Sequence, residues 1–212
     1  MTNIAQKIIF LTSLISCNSE KGKAQDTPVK SEENHDINTD LKEGSRCLNS
    51  LKKSLDEEDN VIWYKQPSIT YSNNSNLASI YIGDNGKNRW LRLVISNTEN
   101  TEILFNKVLL KYDEIVVEVI FDSKEDYTIK KNKAQVSEWI DVTVNDNLQR
   151  FLREFSESEN AEVQLSGTST KTRKLSAEEK TGINEVLIAY DFLQDEYSRN
   201  VKKAFDFQIF KK

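Results

Sequence analysis

Two cysteines and one histidine are the whole supply of soft nucleophiles and imidazole in these 212 residues. They stand at Cys17, His35 and Cys47. Beyond residue 44 one thiol and no imidazole remain, which removes Ser-His-Asp and Cys-His arrangements and the usual zinc ligand sets. His35 has no second ligand type near it in the sequence. Neither the P-loop nor the dinucleotide glycine spacing is present. Over "DSKEDYTIKKNK", Asp122, Lys124 and Asp126 take the first, third and fifth positions of a calcium loop. Lys124 has the wrong charge there, Tyr127 stands where glycine must turn the chain, and Lys133 replaces the closing glutamate. No metal and no cofactor are expected.

Carboxylates are the remaining chemistry, because paired acids hydrolyse glycosides without histidine. Asp141 and Glu118 fall in strand-like runs and face either a cleft or solvent. The run Asp56-Glu57-Glu58-Asp59 reads as the solvated end of a helix. A carboxylate-dependent hydrolase therefore stands third, behind two binding roles, and no catalytic residue is assigned. Aromatic side chains offer rigid contact area instead. Trp63, Tyr64, Tyr71, Trp90 and Trp139 either pack a sheet or line a face for a glycan or peptide. Arg89 and Arg92 beside Trp90 have the chemistry to hold a carboxylate, and an exposed strand face accounts for them equally well.

The opening "MTNIAQKIIFLTSLISC" places an apolar stretch, Ile8 to Ser16, directly before Cys17. A bilayer-spanning helix needs about 20 apolar residues, so this stretch is too short and has the length of a signal-peptide core. Leu14-Ile15-Ser16-Cys17 resembles the lipobox of bacterial lipoproteins: an aliphatic residue, a tolerant position, a small residue, then cysteine. The resemblance implies alkylation of the Cys17 thiol by a diacylglyceryl group, cleavage before Cys17 and acylation of the new amino terminus. Each buried methylene contributes about 0.8 kcal/mol, so two or three long chains anchor a protein firmly. The expected location is the bacterial cell envelope, on a membrane and leaflet left open. With Cys17 lipidated, Cys47 has no partner, and its helical spacing with Leu48, Leu51 and Leu55 predicts a buried, inert thiol.

The elements that must position these residues divide the chain into three parts. Residues 1–16 read as signal peptide and residues 17–44 as lipidated cysteine and disordered tether, too polar to offset their ordering entropy. Residues 45–212 read as one globular domain. A helix over 46–57 is followed by short strands in "NVIWYKQ" and "PSITYS" and by a hairpin around Gly83-Asp84-Asn85-Gly86. Leu91, Leu93 and Ile95 fall on one face of its second arm, with Trp90, Arg92 and Val94 on the other. "ILFNKVLLKY" and "EIVVEVIFD" read as strands meeting near Asp113. The second is apolar on both faces, which predicts an interior strand. Ile140, Val142 and Val144 alternate inward.

The period then changes. Leu148, Phe151, Leu152 and Phe155 form a helical stripe capped by Asn145 or Asp146. "AEVQLSGTS" and "KTRKLS" return to strand. Ser176 and Glu179 form a capping box ahead of Ile183, Val186, Leu187, Tyr190 and Leu193, with Glu185 turned away from that stripe. Residues 201–212 fit both periods: Phe205, Phe207 and Ile209 alternate as in a strand, Val201, Phe205 and Ile209 recur as in a helix, and a closing strand is the preferred reading. Hairpin-spaced strands with two late helices packed on them predict an α+β domain, an antiparallel sheet or sandwich. A net charge of −5 argues against nucleic acid. The expected role is a membrane-anchored binding or accessory module for an envelope protein, peptide or glycan. The alternative is a protective, immunity-type lipoprotein against an envelope-acting toxin.

Overall fold

The computed structural model describes the backbone of residues 37–67 and 75–209, and the side chains of residues 39–67 and 75–198. The leader, Cys17, His35, Tyr71 and most of "PSITYS" lie outside the described residues. Helix α1 (Ile37–Ser50) leads into β1 (Lys52–Asp56), β2 (Val61–Lys65), β3 (Leu77–Asp84) and β4 (Arg89–Glu99). Next come β5 (Lys107–Tyr112), β6 (Ile115–Val119), β7 (Tyr127–Lys131) and β8 (Val136–Val144). Helix α2 (Asp146–Glu157), β9 (Glu162–Ser166), β10 (Thr170–Lys174) and α3 (Ala177–Ile209) complete the order.

The strands form two antiparallel sheets, one ordered β1-β2-β3-β4-β8-β7 and the other β10-β9-β5-β6. The chain is α+β, as hairpin spacing predicts. Both sheets and all three helices contribute to one apolar cluster. Leu91, Leu93 and Ile95 of β4 and Ile140 and Val142 of β8 are buried in it, on the faces that period-two alternation assigns. Leu148, Phe151, Leu152 and Phe155 face it from α2, whose Asn145 side chain accepts the Leu148 amide at 2.9 Å.

Helix α3 packs on α1, α2 and β3. Ile183, Val186 and Leu187 are fully buried. Its capping box is formed: Ser176 N–H donates to Glu179 at 2.8 Å, and Glu179 N–H donates to Ser176 Oγ at 3.1 Å. Glu179 does more than cap. Its carboxylate also accepts the Ala78 amide of β3 at 2.7 Å and both terminal nitrogens of Arg173 at 2.7 and 2.8 Å. Glu185, off the stripe, accepts the amide of the buried Gln66 at 2.7 Å, so it is tied down after all.

A second buried acid joins sheet to loop. Glu138 of β8 is fully buried among the inward residues. It accepts the amides of Ile103 and Leu104 at 2.8 and 2.6 Å and the Tyr127 hydroxyl at 2.5 Å. These donors satisfy a charge that would be very costly if left bare. They fix the turn into β5, where Leu104 holds a φ of 49°.

The β3–β4 connection follows the Asn-Gly signal, shifted two residues along. Gly83 remains inside β3, and the reversal runs over residues 85–88 with Gly86 at φ 80°. The Asn85 side chain accepts the amides of Lys87 and Asn88.

Four expectations are corrected. Residues 37–44, assigned to the tether, belong to α1. Leu41 is too isolated to build a core alone, but α3 supplies a surface for it. A Cβ on Gly44 would lie 2.6 Å from the Phe192 Cβ, so the missing side chain permits a close helix approach. The helix read over 46–57 ends at Ser50, and the acidic run turns the β1–β2 hairpin. There the Asp56 carboxylate accepts the Glu58 and Asp59 amides. Strand β6, expected inside a sheet, lies at an edge. The expected closing strand is helix to Ile209, because extending an existing helix needs no new nucleus. Among the described residues no helix is long and apolar enough to cross a membrane.

Candidate functional site

A groove of about 470 Å³ lies between α1 and α3. Leu41 and Gly44 of α1 and Ile188 and Phe192 of α3 make its apolar floor, while Asp40, Glu43, Asp191 and Asp195 make its rim. Among the described residues the lining includes no basic side chain. Glu43 is held by Arg46 at 2.6 Å and Asp191 by Arg153 at 2.7 Å, from outside the groove. Burial pushes the Asp191 carboxyl above its ordinary value, Arg153 opposes this, and the neighbouring Asp195 adds to it. A cation entering the groove relieves that repulsion. Apolar floor and anionic rim together suit an amphipathic segment bearing lysine or arginine.

Sequence reasoning missed this site. Asp40, Leu41 and Glu43 lay in the segment read as tether. On α3, Asp191 and Asp195 are like charges four residues apart, an arrangement that costs a helix about 0.2–0.5 kcal/mol. Ile188 and Phe192 repeat at the same spacing beside the main stripe. That paired repeat was the available signal.

The aromatic candidates are partly brought together. Trp63 of β2 meets Tyr81 edge-on at 5.3 Å and Trp90 at 5.8 Å. Gly83 between them makes the space, since a Cβ there would lie 2.4 Å from the Trp90 ring and 2.7 Å from the Trp63 ring. Lys65 Nζ caps the Tyr81 ring at 4.6 Å. Tyr64 turns the other way into the core, and Trp139 is covered by Lys130 Nζ at 5.2 Å. The arginines are already engaged. Arg92 Nε donates to Asp141 at 2.9 Å, and Arg89 Nε donates to Asp84 at 2.9 Å beneath the Tyr197 ring.

The carboxylates proposed for chemistry have structural partners. Asp141 accepts from Arg92 and from the Tyr81 hydroxyl at 2.6 Å. Glu118 pairs with Lys107 at 3.2 Å on an exposed strand. Asp122 and Asp126 accept backbone amides of their own connection, those of Lys124 and Asp122.

Cys47 is fully buried. Burial pushes its thiol up to about 11, against the pull of the Arg46 guanidinium. The thiolate is the reactive form, so alkylation by iodoacetamide at about pH 8 is expected to be very slow in the native protein. It should become fast in denaturant. Equal rates in the two conditions would show that the thiol is open.

Comparison with known protein families, curated proteins and solved structures gave no match.

Proposed function

We propose that this protein is a lipid-anchored, non-catalytic binding module of the bacterial cell envelope, tethered through Cys17. Its α1–α3 groove captures a cationic, amphipathic segment of an envelope protein. The observation that carries the binding role is the groove itself, an apolar floor ringed by Asp40, Glu43, Asp191 and Asp195, with no basic residue among its described lining. The anchor rests on the lipobox-like Leu14-Ile15-Ser16-Cys17. The engagement of Asp141 and Glu118 by Arg92 and Lys107 supports a non-catalytic role.

The acidity of the same groove also favours the protective reading, in which the captured segment belongs to a basic toxin acting on the envelope. Both readings demand a cationic ligand, so a synthetic pair of helical peptides tests them together. A lysine-bearing amphipathic peptide is expected to bind, and its glutamate counterpart to fail, in fluorescence anisotropy. Changing Asp40 and Asp195 together to lysine should weaken the basic peptide roughly tenfold, the scale of two partly exposed charge contacts reversed. Equal binding of both peptides, or of wild type and variant, would remove the groove from the proposal. The anchor is tested separately: Cys17→Ser should abolish detergent-phase partitioning and the lipid mass increment.

A further inference from the structure

Each sheet has two edges, and among the described residues three of the four carry lysine or arginine. Strand β1 brings Lys52 and Lys53, β7 brings Lys130 and Lys131, and β10 brings Lys171, Arg173 and Lys174. Charged side chains of this kind blunt an open edge against pairing with another chain. Strand β6 lacks them. Its residues are Ile115, Val116, Val117, Glu118 and Val119, with Ile120 following. Among the described residues it pairs only with β5. Ile115, Val116 and Ile120 are 46%, 52% and 80% exposed. Single exposed apolar residues are ordinary, but three along one open strand edge form a template for a further strand.

We propose that β6 is a self-association edge, on which a second copy of this chain pairs its own β6 antiparallel across a two-fold axis at Val117. Charge selects both the occupant and the register. Centred on Val117, Ile115 faces Val119 of the second copy, Val116 faces Glu118, and Glu114 faces Ile120. No carboxylate then faces a carboxylate. Centred on Glu118, that carboxylate meets its own copy, and centred on Val116, Glu114 meets Glu118. Like charges directly opposite destabilise a strand pair.

The Val117 register also keeps Ile115, Val117 and Val119 on the core side of the joined sheet. Beside the strand lies a space of about 230 Å³ lined in part by Val117, Val119, Val142 and Leu148. Ile115 of the second copy, set opposite Val119, covers it. Pairing β6 with one of the basic edges would leave a free edge at each end and grow without closing, whereas the two-fold pair closes. This inference does not depend on the α1–α3 groove.

The experiment uses the full chain carrying Cys17→Ser, so that buried Cys47 is its one remaining thiol. Sedimentation velocity across a concentration series should show a monomer–dimer equilibrium. Val116→Glu sets two carboxylate pairs against each other and should weaken the dimer about tenfold. Val116→Lys sets two attractive pairs instead and should retain it. A merely structural role for Val116 would not distinguish the two. Val117→Cys should give a symmetric interchain disulfide under mild oxidation, and Val116→Cys, which faces Glu118, should give far less. A protein monomeric at every concentration reached would overturn the proposal and leave the edge to a strand of different sequence. So would a dimer equally tolerant of Val116→Glu and Val116→Lys.

Discussion

Replacing Glu179 with alanine is expected to destabilise the fold by about 3–5 kcal/mol, the scale for removing one partner of a buried ion pair. Glu179 is 6% exposed and serves three groups at once: the Arg173 guanidinium, the Ala78 amide and the Ser176 amide at the helix start. Arg173 retains some contact with water, its side chain being 22% exposed, which places the expected loss near the lower end. Ser176→Ala removes only the reciprocal cap and should cost about 1 kcal/mol. The difference between those two variants isolates the tertiary share of the capping box.

Glu179 also sets a pH dependence. Burial alone would raise its pKa, but the Arg173 hydrogen bond, the Ser176 and Ala78 amides and the Arg173 charge together hold it below 4.5. A depressed acid contributes stability that is fully present above the ordinary value and is lost as pH falls through the folded one. The gap between wild type and Glu179→Ala, measured by denaturant melts, should therefore be constant near neutrality and shrink as pH falls below the ordinary glutamate range. A gap that stays constant as pH is lowered through the acid unfolding limit would show that the charge of Glu179 does not stabilise the fold.

Leu187→Ala is expected to cost about 2–5 kcal/mol through lost transfer energy and a residual cavity. Leu187 is fully buried in α3, the helix that packs on α1, α2 and β3. Helices and sheet converge there, so the site has little freedom to collapse around the missing methyl groups. Glu185→Ala should cost about 1 kcal/mol, because it strands the buried Gln66 amide. If equilibrium melts place Leu187→Ala within error of wild type, α3 does not dock as described.

The elements with strong local signals were legible without a structure. Leu148, Phe151, Leu152 and Phe155 at helical spacing, the Ser176–Glu179 box, the β4 alternation and the Asn85-Gly86 reversal each encode their conformation within a few residues. The elements misread were those whose conformation depends on distant partners. Residues 37–44 are too polar to nucleate structure alone, and α3 gives Gly44 and Leu41 a surface. The alternating Phe205, Phe207 and Ile209 suit a strand, yet they continue a helix already formed.

The same division governs the functional residues. Local sequence determined the class of chain: a short apolar run before Cys17, a domain without histidine, and alternating runs that must build antiparallel sheets. These follow from residue type and spacing over a few positions. Tertiary structure alone decided that Asp40 and Glu43 face Asp191 and Asp195 across a groove, since no local period links residues about 150 apart. It also decided that β6 stands at an edge. An apolar strand reads the same inside a sheet or beside open solvent, and only the pairing of the other strands determines which.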